Sequence, residues 1–208
     1  RENRTMTRFA TITLAVAFAA GAGLFASEPD EDGWIPLFNG KDLSGWKVSE
    51  NGKWHVDEGR IVANGPRSHL FTEREFKNFD FKAEVMTTPG SNSGIYFHTK
   101  FQEEGWPDLG YEVQVNQTQR DPVKSGSLYG VVKQFSTPVK DDEWYTTQIT
   151  VRGNTVTVRI NDKVLYEYVQ PPGVTGPRKL SEGSMALQAH DPDSVVYYRN
   201  LRIKPLPE

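Results

Sequence analysis

Hydrogen-bonding and titratable residues recur at every second position along three predicted strands. They are Tyr96 and His98 in the first strand, Glu112, Gln114 and Asn116 in the second, and Gln188 and His190 in the third. Successive side chains of a strand alternate between its two faces, so each set shares one polar face. This mixture of phenol, imidazole, carboxyl and amide groups suits a ligand with many hydroxyls. Taken singly, each residue could instead lie on the surface or be a buried polar group with its own partner.

The acidic residues give only a weak signal for ordinary glycoside hydrolysis. That reaction uses two carboxylates that face each other across the scissile bond. Glu112 is the one carboxylate on the predicted polar face. The other nearby acidic residues are predicted in flanking loops, at Glu103, Glu104, Asp108, Asp191 and Asp193. A loop could supply the second carboxylate, but no spacing in the sequence demands it.

Other catalytic motifs are missing, although a metal site is open to consideration. The sequence has no nucleophile-elbow motif, no HExxH motif among its four histidines, and no glycine-rich loop for phosphates. We therefore expect no nucleotide cofactor. His98, Glu112 and His190 could meet in space and bind a divalent cation with open coordination positions.

Trp106 lies in a predicted loop just before the strand of Glu112. An exposed indole there could stack on the apolar face of a sugar ring. The alternative is a tryptophan that folds back and holds the loop in place. The other four tryptophans, Trp34, Trp46, Trp54 and Trp144, have strand-like neighbours and are expected in the core.

The elements that must position these residues are mostly strands. Period-2 alternation runs through 79–86, 145–151, 156–160, 164–168, 185–189 and 195–203. Gly153-Asn154 and Asn161-Asp162 have the chemistry of tight hairpin turns. No amphipathic helix is evident, so the pattern predicts an all-β sandwich or jelly roll. Longer loops are expected at 100–110, 116–126 and 134–142, where binding residues tend to gather.

The first 26 residues differ from the rest. Basic Arg4 and Arg8 precede a short, Ala-rich apolar run that ends at small residues, as in a secretory signal peptide with Met6 as its start. Cleavage after Ala22 or Ala26 would fit. An uncleaved membrane anchor is the alternative, disfavoured by the shortness of the run. We expect an exported protein, periplasmic or extracellular, with an acidic spacer at 27–32 and one domain at 33–208.

Composition excludes several classes of function. The chain has no cysteine, so disulfides, thiolate nucleophiles and cysteine-bound metals are ruled out. The net charge is −3. It becomes about −5 once the leader's three Arg and one Glu are removed, so we expect no nucleic-acid partner, because a negatively charged protein is repelled by phosphates. No further apolar segment could span a bilayer, so no stable membrane insertion is expected after leader removal.

Several separated motifs resemble the 3-keto-disaccharide hydrolase family. They are WIPLFNGKDLSGW at 34–46, SNSGIYF at 91–97, GYEVQV at 110–115, ALQAH at 186–190 and YRNLR at 198–202. The resemblance covers about residues 33 to 206. It implies a concanavalin A-like jelly roll, and a glycoside or oligosaccharide already oxidised to a ketone at C3 as substrate.

The resemblance also implies a mechanism and residue roles. A C3 ketone acidifies the C2 proton, so a base can remove it, the C1 aglycone can leave by elimination, and water can then add. Matched to the motifs, Glu112 and His190 become acid/base candidates, with Gln114 and Gln188 orienting hydroxyls. Tyr96, His98, Trp106 and Asn116 complete the expected substrate site. From some members of the family, the resemblance also implies a divalent metal that polarises the ketone. A lectin-like module that binds carbohydrate without chemistry is the main alternative, and a purely structural or protein-interaction domain is the third.

Overall fold

The computed structural model describes residues 28–208, and regular secondary structure in this range is entirely β-strand. The thirteen strands in this range are β1 Ile35–Pro36, β2 Trp46–Val48, β3 His55–Asp57, β4 Arg60–Asn64, β5 Ser68–Phe76, β6 Phe79–Thr87, β7 Asn92–Thr99, β8 Tyr111–Asn116, β9 Tyr145–Arg152, β10 Thr155–Ile160, β11 Lys163–Val169, β12 Gly183–Ala189 and β13 Val195–Pro205. None of the described residues forms a helix that could cross a membrane.

The strands form two antiparallel sheets. The larger runs β11-β10-β9-β6-β13-β4-β3, with β1 paired to β13, and the smaller runs β2-β5-β12-β7-β8. Neighbours in the sheets are mostly distant in sequence, as in a jelly roll. The prediction of an all-β sandwich is confirmed.

The predicted hairpins form where the turn chemistry placed them. Arg152 pairs with Thr155 across the Gly153-Asn154 turn. Ile160 pairs with Lys163 across Asn161-Asp162, and both turn residues have positive φ, at 48° and 62°. Two positive φ values match the right-handed twist of the flanking strands, which is why asparagine and aspartate occupy this turn.

The core lies between the sheets and is made by alternate side chains. Phe79, Phe81 and Val85 of β6 face Ile95 of β7 and Val113 of β8 within one buried apolar cluster. Burying large apolar side chains of this kind stabilises the fold by about 1.5–3 kcal/mol for each. The core therefore fixes the direction in which the intervening residues of each strand point.

The outer face of the five-stranded sheet is covered by three long loops. They are loop 100–110, loop 117–144 and loop 170–182, and each contributes residues to a cavity over β7, β8 and β12. Glu112 and Gln114 on this face are buried, as is the core residue Val113 between them. The face of the five-stranded sheet that was predicted to be polar is therefore covered by loops and shielded from solvent.

The predicted leader, 1–26, and the first residue of the predicted spacer lie outside the described residues. The rest of the spacer leads into a turn, in which the Asp30 carboxylate accepts hydrogen bonds from the backbone amides of Asp32 and Trp34. This turn joins the segment directly to the start of the sandwich.

Candidate active site

A cavity of about 350 Å³ lies on the covered face of the five-stranded sheet. Its lining residues are Asn92 and Tyr96 of β7, Glu112 and Gln114 of β8, Gln188 of β12, and Trp106, Asp121, Tyr129, Arg178 and His190 from connecting segments. The strands are adjacent in the order β12-β7-β8. Tyr96 sits opposite Glu112 in the register. Of the eight site residues predicted from the sequence, the structure brings six together here: Tyr96, Trp106, Glu112, Gln114, Gln188 and His190.

Glu112 is the central titratable group of the cavity. Its side chain is 4% exposed, and the Gln188 amide donates hydrogen bonds to Glu112 Oε1 at 3.2 Å and to the Tyr96 hydroxyl at 2.9 Å. Burial raises the pKa of Glu112 to about 7, against the opposing effects of Tyr96, Arg178 and Gln188. A carboxyl with a pKa near neutrality can both take up and release a proton under physiological conditions.

Gly94 of β7 makes room for this carboxyl. A Cβ atom on Gly94 would lie 2.3 Å from Glu112 Oε1 and 2.9 Å from its Cδ. Glu112 therefore lies directly against the backbone of the neighbouring strand, at a distance that any side chain would prevent. This contact explains a glycine in the middle of a buried strand.

His190 is held by its neighbour in sequence. Its Nδ1 lies 2.6 Å from Asp191 Oδ2, which also accepts a hydrogen bond from Ser194 Oγ at 3.1 Å. Burial raises the pKa of Asp191, but the hydrogen bonds from His190 and Ser194 outweigh it, so the pKa is lowered overall. An ionised Asp191 favours a proton on Nδ1, which leaves Nε2 of His190 to accept a proton and, in the imidazolium form, to donate it.

Trp106 both lines the cavity and fixes its loop. The indole is 40% exposed and packs against the rings of His190 at 5.3 Å and His69 at 5.6 Å, centroid to centroid. Its loop is anchored where the Gly105 amide donates to Glu50 Oε1 at 3.0 Å. The two roles considered for this tryptophan are therefore compatible.

Asn116 does not line the cavity. Its side-chain amide donates to the backbone oxygens of Asp121 and Val123, both at 3.0 Å. The expectation of a substrate-binding Asn116 is corrected accordingly: it is buried and holds the loop that carries Asp121. Gln114, in contrast, donates to Asn92 Oδ1 at 3.2 Å within the cavity wall.

His98 also lies elsewhere, and its predicted placement beside Tyr96 is wrong. The backbone adopts φ 56° at His98, which breaks the strand alternation. The ring packs on Phe79 at 5.8 Å, its Nε2 bonds the Lys77 carbonyl at 2.8 Å, and its Nδ1 accepts from the Ser181 amide at 3.0 Å. Burial lowers the pKa of His98 to about 4, so the ring stays neutral and can serve both bonds.

The proposed metal ligands are consequently not assembled. His98 is separated from Glu112 and His190, and residues 28–208 contain no group of three or more His, Cys, Asp or Glu side chains placed to hold a metal ion. Glu112, Asp121 and His190 line the cavity, but they are not placed together to hold a metal ion.

Sequence reasoning missed four lining residues: Asn92, Asp121, Tyr129 and Arg178. Asn92 shares the face of Tyr96 by alternation and could have been found from that pattern. Asp121, Tyr129 and Arg178 come from loops, where no periodicity indicates direction. His69 was also missed; it is fully buried beside Tyr96 and Trp106, and burial lowers its pKa to about 4.

Comparisons with known proteins agree with this architecture. Residues 33–204 match the family described as the 3-keto-alpha-glucoside-1,2-lyase-like domain. A 3-keto-disaccharide hydrolase of Bacteroides thetaiotaomicron is 27% identical, and the alignment covers 85% of this chain and 80% of that protein.

Solved structures share the fold. A candidate glycosyl hydrolase of Parabacteroides distasonis superposes with a TM-score of 0.72 at 24% identity, over 85% of this chain and 95% of that one. The carbohydrate-binding module CBM66 of Bacillus subtilis gives a TM-score of 0.59 at 13% identity, over 77% of this chain and 95% of that one.

Proposed function

Because this chain belongs to the 3-keto-alpha-glucoside-1,2-lyase-like family, we propose that it is a carbohydrate-acting enzyme that cleaves 3-keto-glycosides. The observation that carries the proposal is Glu112, a buried carboxyl with a pKa of about 7 inside a polar cavity. The curated relative named as a 3-keto-disaccharide hydrolase supports the same substrate class.

The cavity favours chemistry with one base over a pair of opposed carboxylates. Its second acidic residue, Asp121, has both carboxylate oxygens engaged, one by the Val123 amide at 2.8 Å and the other by the Tyr129 hydroxyl at 3.3 Å. We therefore assign the base to Glu112, the carboxyl whose pKa burial raises to about 7. Elimination next to a ketone requires one such base.

The proposed reaction proceeds in two stages. A base takes the C2 proton, the C–H electron pair forms the C2=C3 double bond, and the C3 oxygen becomes an enolate. The enolate then restores the C3 carbonyl, the C1=C2 double bond forms, and the C1–O bond to the aglycone breaks as that oxygen gains a proton. Water adds at C1, C2 regains a proton, and the net result is hydrolysis without oxidation or reduction.

We assign the C2 proton to Glu112 and the aglycone proton to His190. Both line the cavity, and the bond from His190 to Asp191 keeps its Nε2 free for proton transfer. Gln188, Gln114 and Asn92 supply amide groups for sugar hydroxyls, and Trp106 forms an apolar wall. A volume of about 350 Å³ lies within the range of small-molecule sites and suits one or two sugar rings.

Export is part of the proposal and rests on the leader-like residues 1–26. A periplasmic or extracellular enzyme would meet glycosides outside the cytoplasm. Analysis of the periplasmic extract and the culture supernatant of cells that express the full chain would test this location. Recovery of the protein only from the cytosol, with its leader intact, would contradict it.

The test of function is incubation of the purified protein with a 3-keto-disaccharide in D₂O, with the unoxidised disaccharide as the matched control. We expect that only the ketone substrate releases sugar and takes up deuterium at C2. Both changes are measured by NMR. Saturable binding of the unoxidised sugar without turnover of either one would favour a lectin-like module. Cleavage of both at equal rates would contradict the requirement for a C3 ketone.

A further inference from the structure

Arg178 brings a positive charge into the cavity from loop 170–182. It lines the cavity together with Glu112 and is half-buried. Its Nη1 atom is fully buried and has no hydrogen-bond partner among residues 28–208. Arg178 also takes part in none of the ion pairs found in this part of the chain. A buried donor without a partner is unfavourable, and more so for a charged group.

The loop that carries Arg178 is fixed on both sides of this residue. The Pro177 carbonyl accepts a hydrogen bond from the Gly110 amide at 3.3 Å, and the Leu180 amide donates to Gln170 Oε1 at 2.6 Å. The Ser181 amide donates to His98 Nδ1 at 3.0 Å. The backbone that carries the guanidinium is therefore held in place by hydrogen bonds, one of which is accepted by His98.

The guanidinium acts on the same groups that surround Glu112. Its charge lowers the pKa of Glu112, Tyr96 and Tyr129 relative to the effect of burial alone. Such an effect requires Arg178 to lie near all three side chains. Base and guanidinium therefore line the same cavity of about 350 Å³.

We propose that Arg178 stabilises the enolate, with its guanidinium donating a hydrogen bond to the C3 oxygen as negative charge develops there. The inference rests on the proposed function, because the C3 oxygen becomes an anion only when the C2 proton is removed. C2 and C3 are bonded neighbours, so the base and the oxyanion donor must converge on one place in the cavity. A cationic donor that is held in place before the reaction stabilises such a charge as it develops.

The step is balanced without any further reactant. Glu112 gains the C2 proton, the electron pair moves through C2=C3 to the C3 oxygen, and Arg178 keeps all its protons while donating the hydrogen bond. When the aglycone departs, the electron pair returns and the C3 oxygen is neutral again. Arg178 therefore contacts the reacting atoms in both the elimination and the hydration.

The test compares Arg178→Gln and Arg178→Lys with Arg152→Gln, an exposed arginine that borders a different cavity. Two quantities are measured: the rate of C2 deuterium exchange of a 3-keto-disaccharide, and the Kd for the unoxidised disaccharide. We expect Arg178→Gln to slow exchange about 10²- to 10³-fold. The Kd should change by less than about threefold, Arg178→Lys should be intermediate, and Arg152→Gln should resemble the wild type.

Two results would overturn the inference. One is wild-type exchange in Arg178→Gln. The other is an effect confined to sugars that carry a carboxylate, which would assign the guanidinium to substrate charge. Failure of the proposed function looks different, because the wild-type protein itself would then neither exchange the C2 proton nor release sugar. Arg178 lies in a surface loop, so both variants are expected to fold, and the charge-preserving lysine variant checks this independently.

Discussion

On β6 of the eight-stranded sheet, buried residues alternate with half-exposed ones, whereas all six residues of β8 in the five-stranded sheet are buried. The outer face of β6 carries Asp80, Lys82 and Glu84, and water can solvate them. The corresponding face of β8 carries Glu112, Gln114 and Asn116 beneath loops. The same alternation rule thus produces a solvated surface in one sheet and an enclosed polar cavity in the other.

The difference lies in what covers each face. Enclosing polar groups costs free energy unless they find partners. Most of those on β8 do: Gln114 pairs with Asn92, and Gln188 serves both Glu112 and Tyr96. Glu112 nevertheless stays destabilised as an anion, which is visible in its raised pKa. Burial of Glu112 in the five-stranded sheet therefore lowers the stability of the fold at neutral pH, and it produces a carboxyl that can exchange a proton there.

The largest expected effect is the loss of activity on substitution of Glu112, compared with the same substitution of a glutamate in the other sheet. Glu112→Gln should lower kcat on a 3-keto-disaccharide about 10²- to 10⁴-fold, because it removes the base. In the wild type, kcat should rise as pH increases through about 7, the pKa of Glu112, and this rise should vanish in the variant. The matched change Glu84→Gln, whose partners are Arg199 and Asn200 on the solvated face, should leave kcat within twofold. Equal losses in both variants would show that the cavity has no special role.

The second effect concerns stability against pH. The folded state holds the Glu112 proton more tightly than the unfolded state, since its pKa rises from 4.5 to about 7. The contribution of Glu112 therefore favours folding below about pH 4.5 and is lost as pH rises to about 7. Over this pH range the contribution of Glu112 to the free energy of unfolding falls by about 3 kcal/mol. Urea unfolding across this range should show that loss in the wild type relative to Glu112→Gln; parallel curves for the two proteins would exclude it.

Gly94→Ala tests the close approach of Glu112 to β7. The added Cβ would overlap the carboxyl, so the base must move, and kcat should fall about 10- to 100-fold. Gly176→Ala is the control, because Gly176 has open space around it and an ordinary φ. Steady-state kinetics with both variants should separate them. An active Gly94→Ala would mean that Glu112 can shift without consequence.

The smallest effect compares two glutamines. Gln114→Ala leaves Asn92 Oδ1 without its buried partner and should destabilise the fold by about 1–3 kcal/mol. Gln148 of β9 donates to Asp80 at 3.3 Å on the half-exposed face, so Gln148→Ala should change stability by about 0.5 kcal/mol or less. Thermal unfolding measures both. A larger loss for Gln148→Ala would reverse the contrast between the sheets.

Much of the fold followed from local pattern. Alternation located β6, β9, β10, β11, β12 and β13, and turn chemistry located two hairpins. The same rule gave the shared face of Tyr96, Glu112, Gln114 and Gln188. It failed at His98, where a positive φ turns the side chain toward Phe79 and Ser181. Local patterns cannot report such a turn, because it depends on contacts with residues far along the chain.

The sequence by itself determined the strands, their apolar faces and the residues that could carry acid–base chemistry, because each depends on side chains close together in the chain. Only the tertiary structure decided that Arg178, Asp121 and Tyr129 enter the cavity, that His98 and Asn116 stay outside it, and that Glu112 titrates near neutrality. The pKa of a carboxyl depends on how completely water is excluded and on which charges lie nearby. Both are set by loops that fold over the sheet from distant parts of the chain.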